Sequence, residues 1–355
     1  MADEQQRTTI VFDDSDEYRP EPPAPPEPAF WKDGSIRIGI HTSIAGDITG
    51  ALEIAHGLGA NALQIFSASP RMWARGNSRI PEADAKRFRE RRAELRLGPL
   101  AIHANYLINL ASPNPVLRAQ SVQTFHQEIV RAMALGADFL IVHPGSATDG
   151  TRDSAVANVA QSLKQAVRGV KLGDLRILLE NTAGQGSCIG CDFAELRRII
   201  DSCPELPMGV CIDTAHLFAM GWDLRAQQGI DRTLDEIERV IGLEHIPVIH
   251  VNDSKARLGS RVDRHEHIGK GMIGRDAFRL ILNHPRLAGR AFLLETPVDK
   301  AGDDKRNVAA LWRFAGKIVR ATGDGMKPRR KTPRRAKPTA PRAKRSGKSR
   351  TTQRA

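Results

Sequence analysis

Eight short apolar runs punctuate the middle of the chain: RIGIHTS (37–43), ALQIFS (62–67), LAIHANY (100–106), FLIVHPG (139–145), RILLENT (176–182), MGVCIDT (208–214), PVIHVND (247–253) and AFLLET (291–296). Each is nearly continuous in Val, Ile, Leu and Phe, as strands covered on both faces should be. Helical patterns lie between them. DITGALEIAHGLG, VQTFHQEIVRAMALG and VANVAQSLKQAVRGVKLG each end in Gly, a common helix stop, and AFRLILNHPRL and NVAALWRFAGKIVRATG follow the seventh and eighth runs. Eight strand–helix units predict an α/β fold, a closed (β/α)8 TIM barrel. An open doubly wound sheet ranks lower, because no GxGxxG opens the first helix.

Composition adds two tails. Residues 1–35 are acidic and Pro-rich (PEPPAPPEP) and carry −6; residues 322–355 are basic low complexity. From residue 321 onward the chain holds thirteen Lys/Arg against one Asp, a local charge of +12, which leaves the body between the tails with +6 of the total +12. Such tails cannot bury enough apolar surface to offset their ordering entropy, so disorder is expected for both, flanking a barrel domain over 36–321. A mildly basic body with a strongly basic tail suits a polyanionic partner; the tail reads equally as a non-specific nucleic-acid tether through phosphates and as a solubilising segment with no specific role. No apolar run approaches the roughly 18 residues needed to span a membrane, and the N-terminus lacks a signal-peptide pattern. The expectation is no membrane association and a cytoplasmic location. Four cysteines are too few for a disulfide scaffold. Cys188 and Cys191 form a CxxC without a second pair at zinc-finger spacing, and they read as small residues in a Gly-rich loop.

The chemistry concentrates where strands end. His103, His143, Glu180, Asp213, His250 and Glu295 each lie in a strand run, and His216 follows shortly after Asp213. Barrel enzymes place their chemistry on this carboxyl-terminal rim, where strand direction brings distant positions together. A lone His at a strand end is usually structural, but ionised groups recurring on one rim are too costly to bury without partners. Asp263 and His265 in SRVDRHEHIG are two apart, so an extended segment points both to one side. The set holds five His and four carboxylates. Five imidazoles favour zinc over the hard cations Mg²⁺ and Ca²⁺, with Mn²⁺ as a substitute. Nine ligands exceed one ion, so two or three ions with a bridging carboxylate follow. Closely spaced ions activate water and stabilise both oxygens of an in-line phosphoryl displacement.

The series IHANYLINL, VHPGS, LENTAGQGS, CIDTAH, HVNDSK, GSRVDRHEHIG and LLET resembles, in order and wording, the motifs of the endonuclease IV family of apurinic/apyrimidinic endonucleases, over about residues 36–320. The resemblance implies a trinuclear zinc TIM barrel. By matching motif, His103, His143 and Glu180 hold the first Zn²⁺. Glu180 bridges to the second, completed by Asp213, His250 and Glu295. His216, Asp263 and His265 hold the third. It also implies that Arg71, Tyr106 and Leu107 enter the duplex, that Glu180 is the catalytic bridging residue, and that the protein is a monomer acting on double-stranded DNA containing abasic sites. The implied reaction is hydrolysis 5′ of the lesion, leaving a 3′-hydroxyl and a 5′-deoxyribose phosphate. Departures include Asp47 in the first loop, Ala147 after HPGS, Lys270 in IGKG and Ser-Ala-Ser-Pro before Arg71. None removes a candidate ligand. His41 on the first strand is expected near the cluster without ligating. Two other classes compete. One is a sugar isomerase or epimerase on a similar barrel with one or two ions; the other is a non-catalytic DNA-binding protein resting on the basic tail.

Overall fold

The computed structural model describes residues 35–73 and 79–316. The acidic arm, the basic tail and the end of the last helical run (from residue 317) lie outside the described residues. Eight parallel strands close into a barrel: β1 (Arg37–Thr42), β2 (Ala62–Phe66), β3 (Leu100–His103), β4 (Phe139–Val142), β5 (Arg176–Glu180), β6 (Met208–Asp213), β7 (Val248–His250) and, after a small hairpin of β8 (Asp253–Ser254) and β9 (His265–Glu266), β10 (Ala291–Leu294). Each strand pairs with its neighbours in sequence, and β10 closes on β1 with Ile38 opposite Phe292. All eight apolar runs thus contain a barrel strand, and the open-sheet alternative is excluded.

The helices are α1 (Gly50–Gly57), α2 (Glu82–Glu94), α3 (Pro115–Ala134), α4 (Arg152–Ala166), α5 (Phe193–Asp201), α6 (Thr214–Met220), α7 (Gln227–Val240), α8 (Arg275–Leu282) and α9 (Asp303–Phe314). Five of them match the helical runs singled out in the sequence. The other four are α2, α5, α6 and α7. Helix α2 is the hardest to read: EADAKRFRERRAE is charged almost all round and buries only Ala85 and Phe88. A stripe that narrow carries little of the 3.6-residue signal.

The strands divide their side chains between two cores. Odd and even positions alternate across a strand. Ala62, Ala101, Phe139, Ile141, Leu178, Cys211, Val248, Ala291 and Leu293 fill the barrel interior. Their immediate neighbours, such as Leu140, Val142, Ile177, Leu179 and Ile249, pack outward beneath the helices. The interior is tight. A Cβ on Gly39 of β1 would sit 2.4 Å from Leu293 Cδ2 and 2.8 Å from the backbone carbonyl of Ala62, closer than real side chains approach.

Only glycine fits position 39 without spreading the strands. Gly39→Ala is expected to lower stability by roughly 1–3 kcal/mol, read as a reduced midpoint in urea or thermal unfolding. A variant as stable as the parent would show that the barrel gives way there.

Candidate metal centre on the barrel rim

The interior alternation continues to the strand ends, and there it turns polar. Two residues beyond Gly39, Ala62, Ala101, Ile141, Leu178, Cys211, Val248 and Leu293 stand His41, Gln64, His103, His143, Glu180, Asp213, His250 and Glu295. Every barrel strand therefore delivers one polar side chain to the carboxyl-terminal mouth. Glu180 is at the centre and fully buried. Its Oε2 lies 3.2 Å from His103 Nε2 and 3.3 Å from His143 Nε2, and its Oε1 lies 2.9 Å from His250 Nδ1. Glu295 Oε2 approaches the same His250 nitrogen at 3.2 Å.

The remaining candidates come from the start of α6 and from the β8–β9 hairpin. Asp213 ends β6 and caps α6, accepting the His216 backbone N–H at 2.8 Å. Strand and helix are continuous here, so His216 is set one turn above its own strand. Its Nε2 lies 3.2 Å from Asp263 Oδ2, and His265 Nε2 lies 3.4 Å from Asp263 Oδ1. All nine candidate ligands meet around one cleft. Three groups have donor atoms within 4.8 Å of one another: His103, His143 and Glu180; Glu180, Asp213, His250 and Glu295; and Asp213, His216 and His265. The third group differs from the expected allotment, since Asp213 joins the two imidazoles while Asp263 stands beside them. Neither Cys188 nor Cys191 joins any group among the described residues.

Hydrogen bonds behind the cluster turn three of the rings. His103 Nδ1 donates to the Ala104 carbonyl at 2.8 Å, His216 Nδ1 to the Asn181 carbonyl at 2.8 Å, and His265 Nδ1 to the Glu295 carbonyl at 3.1 Å. One ring proton is thereby held on Nδ1, and in the neutral ring Nε2 presents its lone pair to the cleft, the arrangement of metal-ligating imidazoles. Two amides hold the acids. Asn252 donates to Asp213 Oδ2 at 2.6 Å and accepts from the Glu295 backbone N–H, and Asn181 Oδ1 accepts from the Asp213 backbone N–H. Gln64, Asn181 and Asn252 were absent from the sequence reading. The amides of LEN and VND adjoin ligands, and Gln64 interrupts an otherwise apolar strand.

The electrostatics ask for cations. Burial alone would raise the Glu180 carboxyl, but His250, His143 and a hydrogen bond from His103 hold it well below its usual range. Burial likewise opposes charge on His216, yet Asp213, Asp263 and Glu180 push its pKa up to about 10. A field that retains protons on buried imidazoles would be neutralised as well by divalent ions. The buried Nε2 atoms of His216 and His265 make no hydrogen bond. Orphaned ring nitrogens, shared carboxylates and the mixed N/O donor set all fit divalent metal ions.

A cleft of about 430 Å³ opens above the cluster, floored by His103, His143, His216 and Glu295 and walled by Phe66 and Tyr106. Tyr106 is 61% exposed, which sets aside a core role for it. Its ring stands edge-on to Phe66, with centroids 5.2 Å apart. The loop carrying the exposed Arg71 is clamped to it: the Tyr106 N–H donates to the Pro70 carbonyl, and Asn105 donates to the carbonyls of Ser69 and Met72. Leu107 follows, half-buried, its N–H bonded to Asn105 Oδ1 at 2.7 Å. His41 lies 3.5 Å from Glu295 and outside the donor groups.

The loop that brings Asp263 and His265 is held by one buried acid. Asp253 is fully enclosed. Its Oδ1 accepts from the backbone N–H of Ser254 (2.8 Å), Ile273 (3.0 Å) and Gly274 (3.4 Å), and its Oδ2 from Gly269 and Gly271 (both 2.9 Å). A Cβ on Gly271 would lie 2.4 Å from Asp253 Oδ1, so the wrap needs glycine. The same segment pairs β8 with β9, with Ser254 opposite His265.

Comparison with known proteins agrees with this geometry. Residues 52–316 match the family model of the xylose isomerase-like TIM barrel. The chain is 48% identical over 285 residues to the probable endonuclease 4 of Solibacter usitatus, covering 79% of this chain and 97% of that one. It is 41% identical to the probable endonuclease 4 of Methanosphaerula palustris, covering 79% and 98%. Among solved structures, endonuclease IV from Thermus thermophilus superposes with a TM-score of 0.69 at 38% identity, covering 78% of this chain and 98% of that chain. A 3-keto-D-glucoside 4-epimerase from E. coli, at 12% identity and a TM-score of 0.56, shares the fold alone. Fold and donor set define a TIM-barrel enzyme of the xylose isomerase-like class with a rim able to hold metal ions. Within that class the chain belongs to the endonuclease IV family of apurinic/apyrimidinic endonucleases.

Asp253→Ala would strip five backbone donors of their acceptor. The expected result is a loss of at least about 3 kcal/mol, given roughly 1–3 kcal/mol for each buried donor left unsatisfied. Amide hydrogen exchange should speed up over residues 265–274 before the barrel strands respond. Unchanged protection there would mean that Asp253 does not hold the loop.

Proposed function

We propose that this enzyme hydrolyses the backbone of double-stranded DNA on the 5′ side of abasic sites, leaving a 3′-hydroxyl and a 5′-deoxyribose phosphate. It works as a monomer with up to three zinc ions, for which Mn²⁺ can substitute. The observation that carries the reading is the convergence of eight His, Asp and Glu side chains in three overlapping groups around Glu180 and Asp213, with Asp263 beside His216 and His265 as a ninth. His103, His143 and Glu180 would hold one ion. Glu180, Asp213, His250 and Glu295 would hold a second. His216, His265 and Asp263, with Asp213 alongside, would hold a third. When bound, such ions supply a water of lowered pKa and stabilise the charge that develops on the attacking and leaving oxygens of a phosphoryl transfer.

The protein's own residues then have defined tasks. Glu180 shares its two oxygens between neighbouring groups and keeps them in register. The backbone carbonyls behind His103, His216 and His265 hold these rings in the productive tautomer. Tyr106 on the cleft wall, with Leu107 next to it and Arg71 on the loop hydrogen-bonded to the Tyr106 turn, would fill the gap left by the missing base. A step without its base is poorly stacked and kinks at low cost, which favours turning the sugar-phosphate toward the cleft. The basic tail adds phosphate attraction without sequence preference. The sugar isomerase reading has no use for an exposed Tyr106 or for His216, Asp263 and His265 together.

An abasic-site duplex incubated with the metal-loaded enzyme should be nicked once, and a chelator should abolish the nick. Cleavage undiminished by chelation, or none with metal supplied, would overturn the reading. Glu180→Gln should abolish cleavage while retaining binding to the same duplex in a gel shift; cutting at the parental rate would remove Glu180 from the chemistry. Tyr106→Ala should weaken the preference for abasic over intact duplex by about 5- to 150-fold, the equivalent of roughly 1–3 kcal/mol of lost stacking. An unchanged preference would take Tyr106 out of lesion recognition.

A further inference from the structure

We infer that Gln64 is a positioning residue that couples the Glu295 carboxylate to the tautomer of His250, and so fixes which imidazole nitrogen faces the second cation group; the inference rests on the metal reading above. Gln64 lies in the middle of β2, flanked by Leu63 and Ile65, and has no exposed surface. The strand alternation points it into the barrel two residues after Ala62, at the level where other strands present ligands. An apolar side chain would fill such a site without the cost of burying an amide, so the amide has to be fully used.

It is used on three sides. Gln64 Oε1 lies 2.8 Å from His250 Nε2, and Gln64 Nε2 lies 2.5 Å from Glu295 Oε1 and 3.0 Å from His41 Nδ1. These contacts order one another. An ionised carboxylate only accepts hydrogen bonds, so the NH₂ end of the amide must face Glu295. The carbonyl end then faces His250 and accepts only, so His250 must carry its proton on Nε2. A neutral imidazole has one such proton. The lone pair is therefore on Nδ1, which lies 2.9 Å from Glu180 Oε1 and 3.2 Å from Glu295 Oε2, on the side where the other donors converge.

His250 differs from the three candidate ligands whose rings are held by backbone carbonyls. His103, His216 and His265 donate from Nδ1 to backbone carbonyls and face the cleft through Nε2. His250 is turned the other way, so it requires an acceptor at its Nε2, and that acceptor is a side chain. The Cys211 thiol also lies against His250, but a thiol both donates and accepts weakly and imposes no tautomer. Without Gln64, a neutral His250 would do better with its proton on Nδ1, aimed at two carboxylates, and that tautomer cannot ligate through Nδ1.

The test uses the full-length protein loaded with zinc ion alone and equilibrated against a graded chelator, with zinc content per chain as the readout. Gln64→Met keeps the volume and removes the polar ends. It should release one equivalent of zinc at about 10- to 100-fold higher free zinc than the parent, with the other equivalents unmoved. In a His250→Ala background the same substitution should change nothing further, because the group it positions is gone. Equal retention by Gln64→Met and the parent overturns the inference and leaves the metal reading intact. Equal additional losses in both backgrounds also overturn it, since they would mark general loosening of the barrel. A parent that takes up no zinc overturns the metal reading, and this inference with it.

Discussion

The two-residue repeat of a β-strand, applied to a closed ring of eight parallel strands, is the constraint on which the rest of this enzyme depends. It sends alternate side chains to a common interior and leaves the last interior position of each strand at the mouth. Apolar residues occupy the lower positions and polar ones the last. Register keeps them there: Glu180 is level with Cys211, and Asp213 with His250. A slip of one residue would send the acid outward into the helix layer and an aliphatic chain into the cleft. The burial that the barrel imposes then sets the chemistry. Glu180, Asp213 and His250 have essentially no contact with solvent. Carboxylates held there ionised must be matched by positive charge, from protons on the surrounding imidazoles or from divalent ions.

Convergence alone does not orient a ligand. The rings and acids are steered from behind by groups that never face the cleft: the carbonyls of Ala104, Asn181 and Glu295, and the amides of Gln64 and Asn252. Asn252 is instructive, because it touches Asp213 with its amide end and the Glu295 backbone with its carbonyl end, joining β6 to β10 across β7. Asp253, the next residue, does the same for the loop beyond. One short stretch, His250 to Asp253, therefore supplies a candidate ligand and two anchors. This is the second layer of contacts that orients side chains in metal and catalytic sites.

Much of this was legible in the sequence, for reasons that also explain what was not. The strands announced themselves because both faces are buried, so the apolar runs are unbroken. His103, His143, Glu180, Asp213, His250 and Glu295 stood out as ionisable residues in such runs. Asp263 and His265 came from spacing and family motif, and the structure places them beside His216 although they lie outside the barrel strands, in the β8–β9 hairpin. Helix α2 was obscured because its buried stripe is two residues wide. Gln64, Asn181 and Asn252 escaped because a neutral amide carries no signal of chemistry by itself, and its value appears only when its partners are known. The sharing of Asp213 between two donor groups escaped for a related reason: sequence names ligands, whereas coordinates show which lie within reach of one another.

The barrel is shared with a 3-keto-D-glucoside 4-epimerase at 12% identity and with a D-tagatose 3-epimerase-like protein at 18%, so the fold cannot by itself say what the cleft receives. What surrounds the ring argues for the proposed substrate. An enzyme that encloses a small sugar benefits from a rim that closes over it and excludes water. Here, among the described residues, the rim leaves a cleft open and stands a tyrosine at its edge with more than half its surface in solvent. That exposure has a cost unless something large and flat covers the ring, and a base stack does so. The loop bearing Arg71 is fastened to the Tyr106 turn by three hydrogen bonds to its carbonyls, so the two act as one projection. A duplex is too wide to enter the cleft whole. It can send down a single sugar-phosphate, and it can do so at lowest cost where a base is already missing. Under the proposed function, the projection and the buried donors below it are complementary demands on one ligand: stacking at the rim, and a phosphodiester at the floor.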